Sequence, residues 1–137
     1  MKSHEICKNV QCGGNAVFSE PQTKAVIDFA WKTLKTAPEF LWAKFPMNAV
    51  LRRPDNRKWY ALLVRLDRKK LHLSGDGTAE AMVLKLNPPL IDILLSRPGF
   101  LPAYHMNKTN WITVLLDGSV TTADIFELLR YSYSCTR

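Results

Sequence analysis

Apolar positions recur along this chain at two different periods, and the switches between them predict its elements. Ile27, Ala30, Trp31 and Leu34 fall at i, i+3, i+4 and i+7, one face of a helix. Pro21 sits in the first turn, where its missing N–H does no harm. Ser19 with Gln22 has the spacing of a capping box, and Pro38 stops the helix. Phe40, Trp42, Phe45 and Pro46 then form an aromatic loop expected to pack against the domain. Residues 49–52 and 59–66 read as strands joined by the turn Pro54-Asp55-Asn56. Leu71-His72-Leu73 alternates and is expected to form a third strand. After the Gly75-Asp76-Gly77 turn, residues 81–86 make a fourth, with Met82, Leu84 and Leu86 on one face. Asn87 and Pro88 open a second helix with Leu90, Ile91, Leu94 and Leu95 as its buried stripe, ended by Pro98-Gly99. Residues 100–110 read as a loop and 111–116 as a strand closed by Asp117-Gly118. Thr121 or Thr122 caps the last helix, whose Ile125, Leu128 and Leu129 face inward.

Strands joined by short turns pair antiparallel, and helices outside that run cover one face of the sheet. The expected fold is therefore α+β: a two-layer sandwich with an antiparallel sheet of about five strands and helices on one face. The length of 137 residues suits one domain, and the 47% hydrophobic and 23% charged composition suits a filled core. Residues 19–137 are expected to form that domain, with residues 1–18 as a partly ordered extension. No apolar run reaches bilayer length, and residues 1–18 lack a signal-peptide core, so the expected compartment is the cytoplasm. An odd set of cysteines, Cys7, Cys12 and Cys135, makes a poor disulfide framework. A monomer is the favoured state.

The formal net charge is +7, and it is concentrated. Between positions 52 and 70 eight basic residues face two acidic ones, Asp55 and Asp67, a local balance of +6. Arg52, Arg53, Arg57, Lys58, Arg68, Lys69 and Lys70 stand on or beside the two turns flanking residues 59–66. Cations on turns can follow a phosphate backbone and displace its counterions. Equally, turns in any water-exposed domain are polar, and lysines on strand edges block aggregation. A second candidate is the chemically rich segment Tyr104-His105-Met106-Asn107-Lys108. His105 and Lys108 can hold an anion and Tyr104 can stack on a base, or the segment can be structural, with Asn107 fixing the turn into Trp111. Trp31, Trp59 and Trp111 are read as packing residues.

The run from Arg97 to Val114, with Pro102-Ala103-Tyr104-His105-Met106-Asn107-Lys108 followed by Trp111-Ile112-Thr113-Val114, resembles the signature of the MmcQ/YjbR family. Lys58-Trp59-Tyr60-Ala61-Leu62, Leu84-Lys85-Leu86-Asn87-Pro88 and Leu116-Asp117-Gly118-Ser119-Val120 are similar to further family segments, so the likeness spans roughly residues 22–135. It implies a CyaY-like (frataxin-like) sandwich and a DNA-binding role through a double wing of β-hairpins. Asn87 and Pro89 stand where many relatives carry a cysteine and an acidic residue, so no role of that cysteine carries over.

Metal binding and catalysis find little support in the residues. His4, Cys7 and Cys12 lack zinc-ligand spacing, and the acidic ridge by which frataxins bind iron has no counterpart in so basic a chain. There is no nucleophile elbow, Gly-rich phosphate loop or His-Glu-x-x-His, and nothing near Cys135 lowers its pKa. The expected function is a non-enzymatic module without cofactor or metal, binding DNA with little sequence specificity. Arg52, Arg53, Arg57, Lys58, Arg68, Lys69 and Lys70 would lie on phosphates, with Tyr104, His105, Asn107 and Lys108 as an adjoining pocket. The alternatives are a domain for a small anionic ligand or a protein partner, and an enzyme using His105, which needs an acidic or nucleophilic neighbour in a cleft.

Overall fold

The structure, a computed structural model, describes residues 17–137. The expected extension and the His4, Cys7 and Cys12 reading therefore lie largely outside the described residues. In chain order the elements are α1 (Pro21–Leu34), β1 (Asn48–Arg52), β2 (Trp59–Asp67), a 3-10 turn (Arg68–Leu71), β3 (Thr78–Lys85), α2 (Pro88–Leu94), β4 (Phe100–Pro102), β5 (Trp111–Leu115) and α3 (Thr122–Cys135). The strands form one antiparallel sheet in the order β1-β2-β3-β5-β4. This is the expected α+β fold with five strands, although the fifth is not the one anticipated.

Strand alternation divides the side chains between two faces. Leu51, Ala61, Leu63, Met82, Leu84, Ile112 and Val114 point to one side. There they pack with Val26, Ile27 and Ala30 of α1, Ile91 and Leu94 of α2, and Ile125 and Leu129 of α3. Phe18, placed by the sequence pattern in the extension, is 1% exposed and belongs to this core. Val50, Leu62, Val64, Ala81, Val83 and Leu115 point the other way into a second apolar cluster. Tyr60 to Val64 are consequently buried without a break, the mark of a strand covered on both faces. Loops supply the second cover: Trp42, Leu71, Leu73, Ala103, Tyr104 and Met106 all join that cluster.

Three local expectations are corrected. Leu71-His72-Leu73 is not a strand. It ends a 3-10 turn, His72 has φ 59°, and Leu73 N donates to Arg68 O, so the segment folds down over the sheet instead of extending beside it. Residues 100–110 are not all loop, because Phe100–Pro102 pairs with β5 as the sheet edge, with its proline at the strand's end. Ser19 and Gln22 do not form a capping box; the N-cap of α1 is Glu20, without a side-chain cap. The buried carboxylate of Glu80 on β3 does that work from outside the helix, accepting from Ser19 N at 2.7 Å and Glu20 N at 3.0 Å. Gln22 instead donates to Val120 O and accepts from Gly118 N, tying α1 to the loop before α3.

Gly99, which carries the chain from α2 into β4, has φ 89°, and a Cβ there would stand 2.6 Å from Val120 Cγ2. Only glycine meets both demands. β4 is thereby held beside β5, with the loop of residues 103–110 following it.

Candidate functional site

Successive turns of an antiparallel meander lie at opposite ends of their shared strand. The turns 53–58 and 68–77 are separated by the nine residues of β2, a span of about 30 Å. The basic residues of these two turns thus do not merge into one band, contrary to the simplest reading of their closeness in sequence.

The charges of the first turn are engaged within the fold. Arg53 is 9% exposed, and its guanidinium donates Nε and Nη2 to Asp55 at 2.9 and 2.8 Å. Its Nη1 donates to Tyr133 O, and its plane lies 4.2 Å over the Tyr133 ring. The hydrogen bond from Arg53 holds the Asp55 carboxyl at about 2 and raises the guanidinium in turn. Asn56 Nδ2 donates to Thr136 O at 2.9 Å and Lys58 Nζ to Arg137 O at 2.8 Å. Donors and positive charge are what the last carbonyls of a helix require, so this turn is a clasp on the end of α3. Arg52 and Arg57 both lie against Glu39, at 3.4 and 3.2 Å. Arg52, Arg53, Arg57 and Lys58, expected on phosphates, are held in place by their own chain.

The second turn is different. Arg68 Nε donates to Ser74 O at 2.7 Å and closes the turn. Lys69 and Lys70 are exposed and have no ion-pair partner among the described residues. Burial of Leu71 in the second cluster lays this segment along the helix-free face and brings Lys70 towards the 103–110 loop.

That loop is fastened from within. Tyr104 N donates to Thr113 Oγ1 at 3.0 Å. Asn107 Oδ1 accepts from Thr109 N and Asn110 N at 2.8 and 3.2 Å, and Asn107 O accepts from Trp111 N. Asn107 therefore shapes the loop and lines none of the recesses described next. His105, at φ 61°, is exposed, with its ring 4.0 Å from that of Tyr104.

Three recesses surround the Tyr104–His105 pair. The first, about 260 Å³, is lined by Lys70, His72, Tyr104, His105 and Lys108 with apolar residues below. The second, about 210 Å³, is bounded by Trp42, Phe45, Asn48, Trp59, Leu62, His105 and Met106. Trp42 and Trp59 meet there edge to face, 5.6 Å apart at 88°. The third, about 370 Å³, adds Lys44, Arg65, Lys70 and Tyr104, with Asp67 on its wall. No carboxylate or thiol lines the first two, so His105 has no acidic or nucleophilic neighbour in either. Cys135 lies away from them at the end of α3, and burial pushes its thiol up.

The geometry thus joins two sets of residues the sequence kept apart, Lys70 with Tyr104, His105 and Lys108. It adds Trp42, Phe45, Trp59 and His72, which the sequence pattern assigns to packing or to a strand. No group of three or more His, Cys, Asp or Glu side chains is placed to hold a metal among the described residues, and no helix there is long and apolar enough to cross a membrane.

Against known proteins, the chain matches the YjbR family over residues 32–135. It is 35% identical over 102 residues to the uncharacterized protein YyaQ of Bacillus subtilis (strain 168), covering 74% of this chain and 86% of that protein. To the uncharacterized protein YjbR of Escherichia coli (strain K12) it is 39% identical over 54 residues, 39% of this chain and 46% of that one. A crystal structure of a Pseudomonas syringae protein superposes with a TM-score of 0.81 at 44% identity, covering 83% of this chain and 97% of the other. A crystal structure of a Deinococcus radiodurans protein with a DUF419 domain does so with a TM-score of 0.56 at 26% identity, covering 80% and 72%.

Proposed function

This chain belongs to the YjbR family, and from that premise we propose that it is a non-enzymatic module that binds nucleic acid, DNA in the first instance, through the helix-free face of its sheet. One observation carries the reading. Two recesses that meet at His105 offer ammonium and imidazole groups on one side and indole, phenyl and thioether groups on the other, with no carboxylate in either. Phosphate and base call for that pairing of chemistries. The route differs from the basic hairpins the sequence suggested. Lys70 and Lys108 replace Arg52, Arg53, Arg57 and Lys58, which bond to Glu39, Asp55 and the end of α3. Few planar donor–acceptor groups line the site, Asn48 being the clearest, so base-edge readout is slight and affinity rests mainly on phosphates.

Fluorescence anisotropy with labelled DNA over a salt series tests this. The wild-type protein is expected to bind at low salt. Lys70→Gln with Lys108→Gln should shrink the salt slope by about 0.9 for each lost phosphate contact, and Arg52→Gln with Arg57→Gln should leave it alone. Absence of binding to any DNA at low salt, or the reverse ranking of the two double variants, defeats the proposal. A second reading draws on the same cationic recess, whose size suits one small phosphate-bearing molecule. That reading predicts a thermal shift with pyrophosphate or a nucleoside monophosphate and none with an oligonucleotide.

A further inference from the structure

We propose that the recess between Trp42, Phe45, Trp59 and Met106 receives one unpaired base, so that the strand held on this face is single-stranded DNA. The inference rests on the nucleic-acid reading above and adds what the site distinguishes. The two indoles meet edge to face at 88°, and both border the recess together with the buried Leu62. A planar ring entering there meets aromatic side chains on more than one side, and stacked and edge-to-face contacts are both favoured arrangements for π systems. Asn48 and His105 are the polar groups at this recess, placed to meet the polar rim of a heterocycle. Phe45, 53% exposed, extends an aromatic surface beyond the recess and gives a neighbouring base somewhere to stack.

Charge complementarity fixes what the base is attached to. His105 also lines the recess that holds Lys70, His72 and Lys108, so the aromatic and cationic sites are neighbours across a single side chain. A base and its own phosphodiester are neighbours in the same sense, whereas an apolar ligand without charge leaves the cations idle. In a duplex the flat faces of the bases are already stacked and their polar edges paired. Entry into a recess of about 210 Å³ then requires a base to leave the stack, at a cost an unpaired strand does not bear.

The test compares three labelled probes of equal length at one low salt concentration: an oligothymidylate, a duplex, and an abasic strand that keeps the sugar–phosphate chain without bases. The oligothymidylate is expected to bind about tenfold more tightly than either of the others, an effect within the range that stacking of one base supplies. Phe45→Ala should weaken oligothymidylate binding, and Trp42→Ala should bring it down to the level of the abasic strand. Trp42 packs into the second cluster, so its variant is first checked for folding, and the exposed Phe45 and the abasic probe decide the matter without it. Equal binding of abasic strand and oligothymidylate, or a preference for duplex, overturns the single-strand inference yet leaves the face as a phosphate-binding surface. If none of the three probes binds, the broader reading falls as well.

Discussion

At the scale of single residues, Arg53 demonstrates how a cation within a basic turn can be occupied at home. Arg53 meets a carboxylate, a helix-end carbonyl and an aromatic ring at once, and at 9% exposure it offers a phosphate little access. The consequence for stability has a definite sign. Asp55 is depressed from 3.8 to about 2 by its hydrogen bond with Arg53, so the ionised form is the one the fold prefers. Its stabilising contribution is complete above the unfolded value near 3.8 and is lost as pH falls through that window towards 2. Urea unfolding followed by tryptophan fluorescence should find wild-type stability dropping more steeply across that range than that of Asp55→Asn, which is the weaker protein at neutral pH. The carboxylate is 60% exposed, so solvent screening keeps the difference small. Parallel pH curves for the two proteins contradict the assignment of the turn as a clasp.

At the scale of elements, the helices were largely legible from spacing: Ile27, Ala30, Ile91, Leu94, Ile125 and Leu129 are buried as their periods require, whereas Leu95, expected in the stripe of α2, lies past its last turn and is 38% exposed. The errors fall where three residues had to carry a decision. Leu71-His72-Leu73 alternates, but with no neighbour to pair with it folds into a turn. Phe100-Leu101-Pro102 has no visible period, yet β5 gives it a ladder. A signal for the second layer was present in the unbroken apolar run Tyr60–Val64. Which loops would supply that layer depends on contacts between distant segments, which periodicity does not encode. The 103–110 loop is the element on which the site depends, and Asn107 shapes it from outside the recesses. Asn107→Ala should cost about 1 kcal/mol for each backbone donor it strands and weaken DNA binding without altering the salt slope. Lys108→Gln should alter the slope and leave stability nearly intact. An equal change of slope in both would place Asn107 on the ligand instead of in the scaffold.

At the scale of the molecule, topology sorts the charge that composition only counts. Eight basic residues within nineteen positions look like one patch on paper, but β2 carries them to opposite ends of the sheet. One end is used to hold α3. The other folds under the helix-free face and meets Lys108 and the two histidines beside an aromatic recess. The site was therefore half legible: its residues Tyr104, His105 and Lys108 stand out by chemistry, while Trp42, Phe45, Trp59 and His72 become its partners only once the loops are laid over the sheet. Amide and indole NMR shifts recorded while a short single-stranded oligonucleotide is added to nitrogen-labelled protein test this arrangement most directly. The account predicts movement at Lys69–His72, at Tyr104–Lys108 and at the Trp42 and Trp59 indole N–H signals, with residues 53–58 and α3 undisturbed. Shifts centred on residues 52–58 with the helix-free face silent would contradict it.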